Sequence, residues 1–91
     1  MTETVSEALW QGKHIVYRPG KLVIGLKRGT CHKSAYDFLI RNGCAIDFAA
    51  VSGEKIVVDV RPQDTLRLAG ILAISNLFRY VEPDIFKEKF D

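Results

Sequence analysis

Four stretches of the chain alternate apolar and other side chains with the period of a β-strand, and two stretches of helical period divide them into a fixed order. After the turn signal Arg18-Pro19-Gly20, the run KLVIGLK sets Leu22, Ile24 and Leu26 against Val23 and Gly25. CHKSAYDFLIRN then places Ala35, Phe38 and Leu39 on one side of a helix, which Thr30 can open as N-cap and Gly43 can close in the left-handed conformation. CAIDFAAV and KIVVDVR alternate on either side of Ser52-Gly53-Glu54, the strongest hairpin signal in the chain. Pro62 ends the second of these runs, Asp64 offers an N-cap to TLRLAGILAIS, Asn76 can terminate that helix, and LFRYVEP follows as a fourth strand.

Strand, helix, strand, strand, helix, strand, joined by right-handed crossovers, predicts an α+β fold. It is the ferredoxin-like βαββαβ plait, a four-stranded antiparallel sheet with two helices on one face. Residues 1–12, with few apolar positions, read as a loose N-terminal arm. Residues 13–84 form the domain, and 85–91 an extended C-terminal tail. A chain of 91 residues has room for one sheet layer and one helix layer around a single core.

One sheet face is left uncovered in such a plait. If Leu22, Ile24, Leu26, Ile46, Phe48, Ile56, Val58, Val60, Phe78 and Tyr80 face the helices, alternation turns the intervening residues outward. These are Val23, Gly25, Ala45, Asp47, Ala49, Val57, Asp59, Arg79 and Val81. Half of that face is apolar with small side chains, the character of a protein-binding surface rather than of a solvated sheet.

Other classes find little support. The net charge of +2 is too small to signal nucleic acid, although residues 13–41 carry seven Lys and Arg against the single acid Asp37. An RNA-binding plait would display aromatics on the open face, and none is expected there. No apolar run reaches the roughly 18–20 residues that cross a bilayer, and MTETVSEALW lacks the pattern of a secretory signal, so no membrane partner is expected. Cys31 and Cys44 fall at opposite ends of the first predicted helix, roughly 15–20 Å apart, and read as two free thiols. His14 and His32 have no second ligand at metal spacing. His32, Ser34 and Asp37 diverge around a helix, and IGLKRGT matches neither phosphate-binding loop. No catalytic residue, metal or cofactor is therefore expected.

YRPGKLVIGLKRGT, FLIRNGCAIDFAAVSGEKIVVDV and LFRYVEPDIFKEKF, in that order and spacing, resemble the propeptide domain of subtilisin-like serine proteases. This is the peptidase inhibitor I9 family with its fervidolysin-like prodomain relatives. The most specific elements are PGKLVIGLKRGT and YVEPD, and the likeness spans about residues 17–90. It implies a domain that assists folding of a subtilisin-like serine protease and then inhibits it. By position, Glu82 and Asp84 would cap two surface helices of the protease, and the sheet face with Val57, Asp59, Arg79 and Val81 would pack on them. Lys87, Glu88, Lys89 and Phe90 would lie in the cleft as a cleaved product does, with Phe90 in the primary pocket. Pro83 stands where many members have an acid, and Lys87 where a small apolar residue is usual. A start at Met without a secretory signal reads as a free-standing cytoplasmic partner, against an extracellular location if the domain is excised from an exported precursor. The alternatives are a ligand-sensing or homo-oligomerising plait and an RNA-binding plait.

Overall fold

The computed structural model describes residues 5–89, excepting the side chains of 88 and 89. It is a small α+β fold with one antiparallel sheet and two helices. In chain order the elements are β1 (Ser6–Trp10), β2 (Lys13–Leu26), α1 (His32–Arg41), β3 (Ala45–Ile46), β4 (Lys55–Asp59), α2 (Thr65–Ile74) and β5 (Phe78–Lys89). Short 3-10 turns occupy Phe48–Ala50 and Pro62–Asp64.

The sheet has five strands, not the four expected. Ser6–Trp10, within the stretch read as a loose arm, pairs with β2 from Ser6↔Tyr17 to Trp10↔Lys13. The two-residue turn between them, Gln11-Gly12, has φ of 52° and 78°, and such a pair of left-handed residues matches the twist of an antiparallel hairpin. Alternation was present in this stretch but sparse: Ser6, Ala8 and Trp10 are partly buried, while Val5, Glu7 and Leu9 are exposed. Trp10 packs against the main core.

β2 is the spine of the molecule. Its second half pairs with β4 on one edge, Lys21↔Asp59 to Gly25↔Lys55, and with β5 on the other, Leu22↔Pro83 to Leu26↔Phe78. β3 pairs with β4 through Ala45↔Asp59 and Ile46↔Val58. The first half of β2 pairs with β1 and with the end of β5, Arg18↔Asp84 to His14↔Lys89. The predicted tail is thus extended from Ile85 to Lys89, but as part of the sheet; residues 90 and 91 lie outside the described residues.

Leu22, Ile24, Leu26, Ile56, Val58, Phe78 and Val81 from the sheet bury against Ala35 and Leu39 of α1 and Leu68, Ala69 and Leu72 of α2. Burial of each Leu or Ile contributes roughly 1.5–3 kcal/mol relative to exposure. α1 starts one residue later than expected: Cys31, not Thr30, is the N-cap, and its side chain makes no capping bond. At the other end Gly43 has φ 85°, and the amides of Gly43 and Cys44 donate to the carbonyls of Ile40 and Leu39, the paired closure that a left-handed residue permits. Two residues past the end of α2, Asn76 takes a φ of 60°, and its carbonyl and side-chain oxygen accept from Lys27 Nζ at 2.6 and 2.9 Å.

The second expected strand, 44–51, shrinks to Ala45–Ile46, after which Phe48–Ala50 turn as a 3-10 helix. Phe48 leaves the sheet core, remains exposed, and meets the Tyr36 ring edge-on at 5.3 Å. Ala49 and Ala50 lack the branched side chains that favour a pleated surface, so the alternation there was too weak to hold the strand.

Candidate protein-binding face

The uncovered face is set by the pairing of β2 with its neighbours. Lys21, Val23 and Gly25 of β2 lie beside Asp59, Val57 and Lys55 of β4, while Glu82 and Tyr80 of β5 flank Val23 and Gly25. Small apolar side chains therefore occupy the middle of the face, with charges around them.

The β5 register departs from simple alternation. Phe78 pairs with Leu26 but Tyr80 with Gly25, so Arg79 is an extra residue, a β-bulge. The bulge turns Val81 inward, where it is 3% exposed in the core, rather than onto the outward face expected for it. It also turns Tyr80 outward, where its ring fills the space a side chain on Gly25 would take. Tyr80 is thus an aromatic on the open face that strict alternation had put in the core. The signal that could have found it is Gly25, a residue without a side chain in the middle of a strand.

Arg79 is exposed, with its guanidinium 5.5 Å from the Tyr80 ring centre and 3.8 Å from Glu54. Val57 is on the open face as expected, half-buried beside Val23. Asp59 accepts a 2.8 Å hydrogen bond from Lys21 Nζ, which lies 3.9 Å from Asp47. The hydrogen bond to Asp59, then the charges of Asp59, Asp47 and Asp84, hold the Lys21 ammonium protonated above its usual range, against a smaller opposing effect of burial.

The two carboxylates from YVEPD differ. Glu82 is exposed, and its carboxylate has no hydrogen bond or ion pair among the described residues. Asp84 is half-buried and lies 3.7 Å from Arg18, whose guanidinium also sits over the Phe86 ring at 4.7 Å. Pro83 between them is fully buried opposite Leu22. Lys87 is exposed opposite Val16, Glu88 and Lys89 pair with Ile15 and His14, and Phe90 lies outside the described residues. The structure therefore gathers Val57, Asp59, Glu82 and Arg79 around one face and aligns 84–89 along β2.

Among the described residues there is no group of three or more His, Cys, Asp or Glu that could hold a metal ion, and no helix is long and apolar enough to cross a membrane. No family model, no curated protein and no solved structure matches the chain.

Proposed function

We propose that this domain is a non-catalytic protein-binding module of the propeptide type, which binds a subtilisin-like serine protease and acts as its inhibitor, its folding assistant, or both. The observation that carries the reading is Glu82: an exposed carboxylate without a side-chain partner among the described residues, at the margin of a face whose middle is Val23, Val57 and the Tyr80–Gly25 pair. A charge held this way on rigid sheet can meet unsatisfied amides at the N-terminus of a partner's helix, an interaction worth roughly 0.3–1 kcal/mol and more when partly buried.

The finer architecture belongs to the same reading. Without β1, the strands run β5-β2-β4-β3, all antiparallel, which supports a ferredoxin-like plait extended by an N-terminal hairpin. The tail residues 85–90 would then follow the sheet-face contact into the protease cleft, adding backbone hydrogen bonds and presenting alternate side chains to its pockets.

The test is inhibition of a panel of subtilisin-like proteases by the full chain and by a chain ending at Asp84. Slow, tight inhibition that disappears on truncation is the expected result. Absence of inhibition across the panel, together with a stable dimer by light scattering or salt-dependent binding to RNA, overturns the proposal in favour of an oligomerising or RNA-binding plait.

A further inference from the structure

We propose that the last part of β5 is a releasable strand: residues 84–89 rest against β2 while the domain is alone and leave it, pivoting at Pro83, to enter a partner's groove. The protease reading above supplies the identity of that groove; the opening itself rests on how β5 is held.

The strand changes character at Pro83. Phe78, Val81 and Pro83 are buried, which fixes the first half of β5 in the core. Beyond it, Asp84 and Ile85 are half-buried, Phe86 is 53% exposed and Lys87 is exposed, so the segment's own side chains are less covered than those of the first half; its partners on β2, Ile15, Val16 and Tyr17, are buried, and departure bares part of them. The register with β2 is interrupted at the start of the segment and again within it: Pro19, Gly20 and Lys21 of β2 have no counterpart on β5 between Arg18↔Asp84 and Leu22↔Pro83, and Phe86 is extra between Ile85 and Lys87. Pro83 has no amide hydrogen to give to the ladder, which makes the junction a natural break in it.

Only one edge of the segment is paired among the described residues, whereas β2 is held on its other edge by β1. Release of 84–89 therefore leaves the β1–β2 hairpin standing. Among the described side chains of the segment, Asp84 lies 3.7 Å from Arg18 and the Phe86 ring lies under its guanidinium, and both members of the ion pair keep 30% of their side-chain surface in solvent. Such a contact weakens with ionic strength and yields to a competing groove.

The partner it fits is a cleft that binds an extended peptide by its backbone, as a serine protease does, because the segment is already in strand conformation. Arg18 and Asp84 are directly opposed across an antiparallel pair, a placement that a disulfide can bridge. The experiment therefore uses Arg18→Cys/Asp84→Cys with Cys31→Ser, and compares the oxidised with the reduced form of the same protein. In the reduced form, amides of residues 85–89 are expected to exchange with deuterium at least about tenfold faster than those of 22–26, and oxidation to slow them toward the core rate. On protease binding, the reduced form should lose protection at residues 13–18 but not at 22–26, and the oxidised form should inhibit at least about tenfold more weakly until reductant is added. Equal exchange of the two segments in the reduced form overturns the releasable strand, as does equal inhibition by the two forms. If neither form nor the wild type inhibits any protease, the protease reading falls, and the exchange rates of the free protein still decide whether the strand opens.

Discussion

The ring of Tyr80 occupies the space into which a side chain on Gly25 would project, so these two residues, paired across β5 and β2, form one interlocked unit on the open face. Gly25 is not in the left-handed region; the demand on it is steric. A methyl group there collides with ring carbons and must displace them. Gly25→Ala is expected to cost about 1–3 kcal/mol, the usual penalty for overpacking, measured by urea denaturation. Adding Tyr80→Ala should return part of that loss. Additive losses in the double variant would show that the two positions do not compete for the same space.

A second unit joins the bend of β2 to the start of α2. Thr65 is 1% exposed; its hydroxyl donates to the Pro62 carbonyl and accepts from the Gly20 amide, both at 2.8 Å. Thr65→Val keeps the volume but strands the Gly20 amide, and should cost about 1–3 kcal/mol. Thr65→Ser keeps the hydroxyl and should cost less. The order of the two urea midpoints is the measurement, and a Val variant as stable as the Ser variant would deny the hydroxyl this role.

β1 should matter to stability as well. Trp10 is the sole tryptophan and packs on the core from a hairpin of marginal hydrophobicity. Trp10→Ala is expected to destabilise the domain by about 1–2 kcal/mol, below the loss for a fully buried aromatic because the residue is only partly covered. In the wild type its fluorescence should shift to longer wavelength in the same transition that removes circular dichroism. A separate earlier shift would show that the hairpin undocks before the domain unfolds.

Much of this fold was legible because the signals were local and redundant. Leu22, Ile24 and Leu26 alternate without interruption, Gly43 and Asn76 take the left-handed stops expected of them, and Ser52-Gly53-Glu54 turns between β3 and β4, with Ser52 bridged to Lys55. What sequence could not supply was register. One extra residue at Arg79 exchanges Val81 with Tyr80 between core and surface, and no propensity marks a bulge in FRYVEP except the glycine it faces on another strand. Pairing of Ile85–Lys89 with β2 was hidden for the same reason: strand partners distant in sequence leave no periodic trace. Glu82 is singled out in the sequence by its place in YVEPD, but its lack of a side-chain partner among the described residues, and the pairing of Asp84 with Arg18, are tertiary facts.

The two thiols should behave oppositely with pH. Cys31 is exposed at the start of α1, where first the backbone amide and hydroxyl of Ser34, then the Lys33 amide and charge, favour its thiolate and lower its pKa below the ordinary value. Cys44 is buried, and loss of hydration pushes its pKa up to about 11. Iodoacetamide at pH 8 should therefore label Cys31 first, and Cys44 only on unfolding. Because the folded-state value of Cys44 lies above the unfolded one, its neutral form favours the fold: that contribution is fully present below about pH 9 and is lost as pH rises toward about 11. Cys44→Ala should flatten this part of the stability profile. An unchanged slope would assign the alkaline loss to other groups.

Glu82 and Asp84 separate binding from folding. Glu82 has no partner within the described structure, so Glu82→Ala should change stability by no more than about 0.5 kcal/mol. Asp84→Ala removes the ion pair with Arg18, in which both side chains keep 30% of their surface exposed, and solvent screening limits the loss to about 0.2–1 kcal/mol. If both carboxylates cap helices of a bound protease, each substitution should weaken inhibition by about 0.3–1 kcal/mol, roughly two- to fivefold, and more where the contact is desolvated. Glu82→Gln should recover little of the loss, because the helix terminus attracts the charge. Asp84→Ala carries an opposing effect: it loosens the segment from β2 while removing a contact to the partner, so its association should quicken even as its affinity falls. The pair of measurements, stopped-flow association and the steady-state inhibition constant, resolves the two. Slower association for Asp84→Ala would mean that the Arg18 ion pair organises the tail for binding instead of retaining it, and unchanged inhibition by Glu82→Ala would remove helix capping from the proposal.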